Sequence, residues 1–464
     1  MRSVCPSLYV RQRKSFLVLA ILAGGSAGCS PDAPVITEPS AQSGVIARSG
    51  VNDANAIVVT NAAELVAALV PDNAGRKILV RSGTYDVTQR LNVPDGATLA
   101  GEGEMLLDES GLPTGFATGT RTTIRMTANF TGNMLTLGNG ASIRDIAVED
   151  LPGRVGSVIA VDSRSAGDTL SANITEVEIM NPNVHAIVLT GPSGCGLMVV
   201  TENPHPGSVV SATMTRSLIH SPATGTGCGV FAFNFASLGS VSVDLSDNVI
   251  GGGMIANGGV SRPAAVHDAR TVVQSRNNLY IDDSPNPCVS RRSAWNLAGG
   301  SGIPAPVMIG TTERNSLRVH SQGDRLEAFT LGILATGGRR FFALPTAGPV
   351  MNNTIDLDLL STNISTSSCS SGVVTDFRLV GALVTAASLT PGDGNTIHAV
   401  MRDVTGSGTR TNFYADALGP AGPLAAQYQG SGNRLEIAGS LHAFEQTNRD
   451  IDPAPGAEFF STGR

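Results

Sequence analysis

Three polar residues in the stretch VHDAR, His267, Asp268 and Arg270, have the types that proton transfer uses. An imidazole can take or give the proton, a carboxylate can orient it, and a guanidinium can hold developing negative charge. They form the candidate catalytic set. Nearby stand further acids, Asp244 and Asp247 in VDLSDN and Asp282-Asp283 in IDDS. Acid–base cleavage of a glycosidic bond needs two carboxylates roughly 5 to 9.5 Å apart. Adjacent Asp282 and Asp283 point to opposite faces of a strand, so they can serve together only on a turn. Their plain alternative is a pair of acids on a surface turn. Trp295, the one tryptophan, follows Arg291 and Arg292 in RRSAWNLAGG. An indole beside guanidinium groups can stack on a sugar ring and bind uronate carboxylates; the alternative is a partly buried loop anchor. Asp282, Asp283, Arg291, Arg292 and Trp295 are thus the candidate substrate-binding residues.

The candidate catalytic and substrate-binding residues all fall between Gly251 and Ile309, the least regular part of the chain, and loops on a rigid scaffold are where function concentrates. Elsewhere, short runs of Val, Ile, Leu and Thr are broken by Gly, Asn, Asp and Ser, the pattern of a many-stranded all-β chain. Asn61 to Val70 is the exception. Leu65, Ala68 and Leu69 share one helical face, Thr60 or Asn61 can cap the start, and Glu64 sits near the capping-box position.

The C-terminal half repeats. An Asn followed by alternating apolar residues recurs as NSLRV from Asn315, NTIDL from Asn353, NTIHA from Asn395 and NRLEI from Asn433. A strand returning roughly every 40 residues marks a repeat architecture. The third and fifth positions, Leu317 and Val319, Ile355 and Leu357, Ile397 and Ala399, Leu435 and Ile437, then point into one stacked core. A stacking Asn within each turn explains Asn315, Asn353, Asn395 and Asn433 structurally. The histidines His185, His205, His220, His320, His398 and His442 fall in different phases of these repeats and give no metal cluster.

The order ELVAAL, then ILVRSGTY, then LNVPDGATLAGEG, over residues 56 to 150, resembles the N-terminal helix and first coils of the right-handed parallel β-helix, the pectin-lyase-like fold. The resemblance implies an all-β, single-stranded solenoid spanning 56–464, with a short helix covering its first coil. A sandwich or a propeller is the alternative. Polysaccharide lyases, hydrolases and esterases share this fold with adhesins and other surface proteins, so fold alone does not assign an activity. None of the family's catalytic motif sets is complete here. No cofactor is called for; calcium is compatible with the resemblance, and no motif supports it.

The chain begins with an export leader: Arg11, Arg13 and Lys14, an apolar run from Phe16 to Ala23, then small residues up to Cys29. The apolar run is shorter than the roughly 20 residues a membrane span needs. Ser26-Ala27-Gly28-Cys29 resembles the bacterial lipobox, which makes 1–28 the signal peptide and Cys29 the lipidation site. Ser26 stands where that family usually carries Leu, so ordinary secretion is the alternative. Residues 29–55, rich in Pro, Ser, Ala and Gly, form a flexible tether. Ser30 after the cysteine suits outer-membrane sorting. Without the leader the chain carries 27 basic against 38 acidic residues, a net of −11, which disfavours nucleic acid as a partner. Cys195, Cys228, Cys288 and Cys369 remain for disulfides in an oxidising compartment; three connectivities are possible, and pairing neighbours in order is preferred.

The expected function is therefore that of an extracytoplasmic, lipid-anchored β-helix protein that binds polysaccharide or another envelope component. A lyase or hydrolase of acidic polysaccharide is the first alternative, and a structural, adhesin-like surface protein the second.

Overall fold

A strand of alternating apolar residues buries one face only if something stacks on it, and here each strand finds its partner one coil away. The computed structural model describes residues 55–152, 154–180, 195–202, 205–220, 228–261, 264–282, 293–302, 310–329, 331–340, 349–366, 382–388, 393–407, 413–416, 434–439 and 458–461. Every described residue belongs to one compact unit within 53–464. The signal peptide, Cys29, nearly all of the tether, Asp283, Cys288, Arg291, Arg292, Cys369 and Asn433 lie outside the described residues.

Each coil adds one strand to each of three parallel ladders. One coil runs through Arg270–Arg276 in the first ladder, Leu279–Ile281 in the second and Ser293–Gly302 in the third; Ser316–Gln322 then begins the next coil. In the first ladder Ile57, Ile78, Leu99, Ile143, Ile174, Met214 and Leu245 follow one another in register. A short fourth ladder joins Val266–His267, Thr312–Glu313 and Val350–Met351. Among the described strands only the hairpin Met105–Leu107 with Pro113–Phe116 is antiparallel. This is a parallel β-helix.

The repeat register holds. Leu317, Ile355 and Ile397 pair in sequence and are fully buried, as are Val319, Leu357 and Ala399 beside them. Leu435 continues the backbone register from Ile397. Between the first and second ladders the chain turns on one residue in the left-handed region: Arg216, Asp247, Asn277, Ser361 and Asp403, with Gly323 at the equivalent place. Asp and Asn tolerate that conformation better than most residues because their short side chains hydrogen-bond locally.

Directly after these turns runs a buried polar column. The backbone N–H and side-chain amide of Asn248 both donate to Asn278 Oδ1 (2.9 and 2.9 Å), and those of Asn278 donate to Asp324 Oδ1 (2.8 and 3.1 Å). A second column, at the entry to the first ladder, passes from Asn315 to Asn353 to Asn395. The structural reading of Asn315, Asn353 and Asn395 is thereby confirmed.

The helix is Ala62–Ala68, shorter than the periodicity suggests. Asn61 is its cap, accepting from the Glu64 N–H at 3.0 Å, while the Glu64 carboxylate reaches back to the Thr60 N–H at 2.8 Å. Leu65 and Ala68 join the main core. In the third ladder, Cys195–Thr201 and Cys228–Asn234 are buried on both faces, which explains their unbroken apolar runs. Leu197, Val199 and Val230 face the main core, while Met198, Val200, Phe231 and Phe233 form a second cluster. Cys195 and Cys228 stand in register on adjacent strands, Cα atoms 4.6 Å apart, and form a disulfide.

The stretch 251–309 is more regular than its sequence suggests. It contributes Met254–Asn257, Val260–Ser261, Val266–His267, Arg270–Arg276, Leu279–Ile281 and Ser293–Gly302 to the ladders.

Candidate functional site

The described members of the sequence-derived site are spread between a surface turn and the core. His267 Nδ1 lies 2.9 Å from Asp268 Oδ2, but Asp268 occupies a left-handed turn at the surface and is clamped by Arg314, Nε to Oδ1 and Nη2 to Oδ2 each 3.0 Å. The Arg314 hydrogen bonds, followed by that from His267, pull the Asp268 carboxyl down to about 2. Arg314 in turn holds Glu313 at 2.7 Å. Arg270 is exposed on the next strand and takes no part in this cluster. His267, Asp268, Arg314 and Glu313 form a charged cluster at this surface turn.

Trp295 corrects the sugar-platform reading. It is in register with Met254 and Ile333, both inward, and is fully buried with its ring edge-on to Tyr280, centroids 5.4 Å apart. No sugar can stack on it. Asp282 is also buried rather than on an exposed turn, and its N–H donates to Glu327 O at 3.2 Å.

What the fold does assemble lies on the outward face of the first ladder. The same alternation that sends Leu317 and Val319 inward sends Arg318 and His320 outward; on the next coils it turns out Asp356 and Asp358, then His398 and Val400. Register places Arg318, Asp356 and His398 in one column, and Gln274, His320, Asp358 and Val400 in the column beside it. Neighbours along a column stand about 4.8 Å apart, and neighbours along a strand about 6.6 Å. Together with Leu357 these residues line a groove of about 540 Å³.

Its electrostatics are those of paired charges. His320 Nδ1 lies 3.0 Å from Asp358 Oδ2, and Arg402 Nη2 donates to both oxygens of Asp358 at 3.0 and 3.3 Å. Arg318 Nε sits 3.7 Å from Asp356 Oδ2, beyond direct hydrogen-bond reach. On the preceding coils Arg276 pairs with Asp244 at 3.2 Å. An imidazole oriented at Nδ1 by a fixed carboxylate leaves Nε2 to exchange protons, while the nearby guanidinium can hold an anion.

His320 and His398 lie at odd offsets from their column asparagines, Asn315 and Asn395, and an odd offset is an outward position. Their different phases therefore do not separate them. The signal was present in the even positions of NSLRVH, NTIDLD and NTIHAV. Among the described residues no group of three or more His, Cys, Asp or Glu side chains is arranged to hold a metal ion.

No family model and no curated protein matches the chain. Among solved structures it is similar to the A-module of the mannuronan C-5 epimerase AlgE4 of Azotobacter vinelandii, at 14% identity over 88% of this chain and 97% of that one, with a TM-score of 0.39. It is also similar to the catalytic unit of a GH87 α-1,3-glucanase from Streptomyces thermodiastaticus strain HF3-3, at 13% identity over 85% and 66% of the two chains, with a TM-score of 0.32.

Proposed function

We propose that this is an exported, lipid-anchored envelope protein that holds a polysaccharide in the groove over the first ladder. The observation that carries the reading is the groove itself. An open trough of about 540 Å³, lined by His320, His398, Arg318 and two aspartates, offers many polar partners to a hydroxyl-rich chain. The paired charges leave the wall nearly neutral, which suits a glycan better than a dense polyanion. Anchoring through Cys29 and sorting to the outer membrane rest on the leader sequence, and they set a polymer of the cell envelope within reach of the groove.

Affinity electrophoresis and calorimetry against a panel of neutral and acidic polysaccharides test the reading. Arg318→Ala and His398→Ala are expected to weaken binding about tenfold or more, the equivalent of one charge-assisted hydrogen bond. Trp295→Phe should leave binding intact. Binding that survives both groove variants removes the groove from the function. For the anchor, mass spectrometry of the mature N-terminus should find acyl groups on Cys29, and Cys29→Ser should release the protein from detergent-phase partition; an N-terminus without acyl mass refutes it.

A further inference from the structure

Beyond binding, we infer that the groove hydrolyses carboxylic esters carried by the polysaccharide, with His320 as the catalytic residue and Asp358 as its positioning residue. This rests on the glycan reading above.

The residues present narrow the chemistry. Glycosidic hydrolysis needs one carboxyl to donate a proton and another to act from the opposite side. Asp356 and Asp358 stand about 6.6 Å apart on one face of one strand, a separation that would serve, but Asp358 is committed to both His320 and Arg402, which leaves one carboxyl where two are needed. Covalent catalysis needs a nucleophile; no Ser, Thr or Cys is among the described residues that line the groove, and the carboxylate of Asp356 faces the Arg318 guanidinium at 3.7 Å. What is left is an imidazole with its Nδ1 side anchored to Asp358, and the guanidinium of Arg318 two residues before it on the same face.

Abstracting a carbon-bound proton beside a carboxylate puts a second negative charge on the substrate, and the other cation at this dyad, Arg402, is already committed to Asp358. Water attack on a neutral ester creates a single oxyanion, which one guanidinium can match. It also needs only one base, because the same nitrogen returns the proton.

The step balances as follows. His320 Nε2 takes a proton from water as the water oxygen bonds to the ester carbon, and the carbonyl electron pair moves onto its oxygen, facing Arg318. The tetrahedral intermediate then collapses, the bond to the alcohol oxygen breaks, and that oxygen takes the proton from His320. Carboxylic acid and alcohol leave, and the imidazole is neutral again. Asp358 accepts the Nδ1 hydrogen bond throughout and so holds the tautomer that presents Nε2.

The test uses the full chain with an O-acetylated and a methyl-esterified polysaccharide, assayed for acetate, methanol, reducing ends and unsaturated products. Wild type is expected to release acetate or methanol, and which of them appears names the ester. His320→Ala should lower kcat by about 10²- to 10⁴-fold, the span of general acid–base catalysis. Asp358→Asn should lower kcat with little change in KM, and Asp358→Glu should recover part of it. Polysaccharide binding without ester release, release indifferent to His320→Ala, or unsaturated or reducing-end products in its place each overturns the inference and leaves the glycan reading standing. No binding of any polysaccharide by wild type removes both.

Discussion

Asn353 Oδ1 accepts two hydrogen bonds from Asn315, one from the backbone N–H at 3.0 Å and one from the side-chain amide at 2.9 Å, with both residues fully buried. Asn353 passes the same pair of bonds to Asn395 and also donates to Thr312 O at 3.2 Å. The column thus satisfies turn groups that no sheet ladder reaches. Asn353→Ala strands two buried donors of Asn315, each costing about 1–3 kcal/mol. Urea denaturation should show a loss of about 2–5 kcal/mol, whereas loss below about 1 kcal/mol would mean that water replaces the column.

Asp324 ends the other column with a buried carboxyl that accepts from Asn278 and from Ser321, the latter at 2.6 Å. Burial pushes its pKa above the ordinary value, although the Ser321 and Asn278 hydrogen bonds oppose the shift. The folded chain therefore keeps this proton to a higher pH than the unfolded chain does. The stability it contributes is complete below about pH 4, the unfolded value, and is lost as pH rises through the raised folded value. Asp324→Asn keeps the acceptor and removes the titration. Measured across pH 4 to 8, the stability of the variant relative to wild type should rise with pH; a pH-independent difference would show that Asp324 does not titrate differently in the two states.

Arg154 and Asp150 form a fully buried bidentate pair, Nε to Oδ1 at 2.5 Å and Nη2 to Oδ2 at 2.7 Å, with Phe130 4.9 Å below the guanidinium. Removing one partner leaves an uncompensated buried charge at a cost of about 3–5 kcal/mol. Arg154→Met alone should be severely destabilising in denaturant titration, and adding Asp150→Leu should recover much of the loss. A double variant no better than the single one would assign the damage to packing.

The disulfide Cys195–Cys228 closes a separation of 33 residues. In the chain-entropy account a loop of this length contributes about 3–4 kcal/mol, from the unfolded state. Cys195→Ala with Cys228→Ala should lower the midpoint of unfolding, and reduction of the wild type should reproduce the shift. Equal midpoints would place the stabilisation elsewhere.

Much of the architecture is legible along the chain. Alternation at Leu317, Val319, Ile355 and Leu357 gives the inward face, and the spacing of Asn315, Asn353 and Asn395 gives the coil, because every coil repeats the same local solution to stacking. Local signals failed in the stretch 251–309. Trp295 reads as loop when viewed alone, yet its register with Met254 and Ile333 on neighbouring coils buries it. His267 and Asp268 do meet, whereas Arg270 begins the strand that follows their turn and does not join the cluster that Arg314 completes.

The sequence by itself determined the acidic balance, the coil period and which residues face inward, since each depends on composition or on neighbours a few positions apart. Only the tertiary structure decided that His320 meets Asp358 and that Asp358 meets Arg402. These residues are 38 and 44 positions apart, and they touch because strands one coil apart stack in register about 4.8 Å from each other. A shift of one residue in that register would have turned all of them into the core.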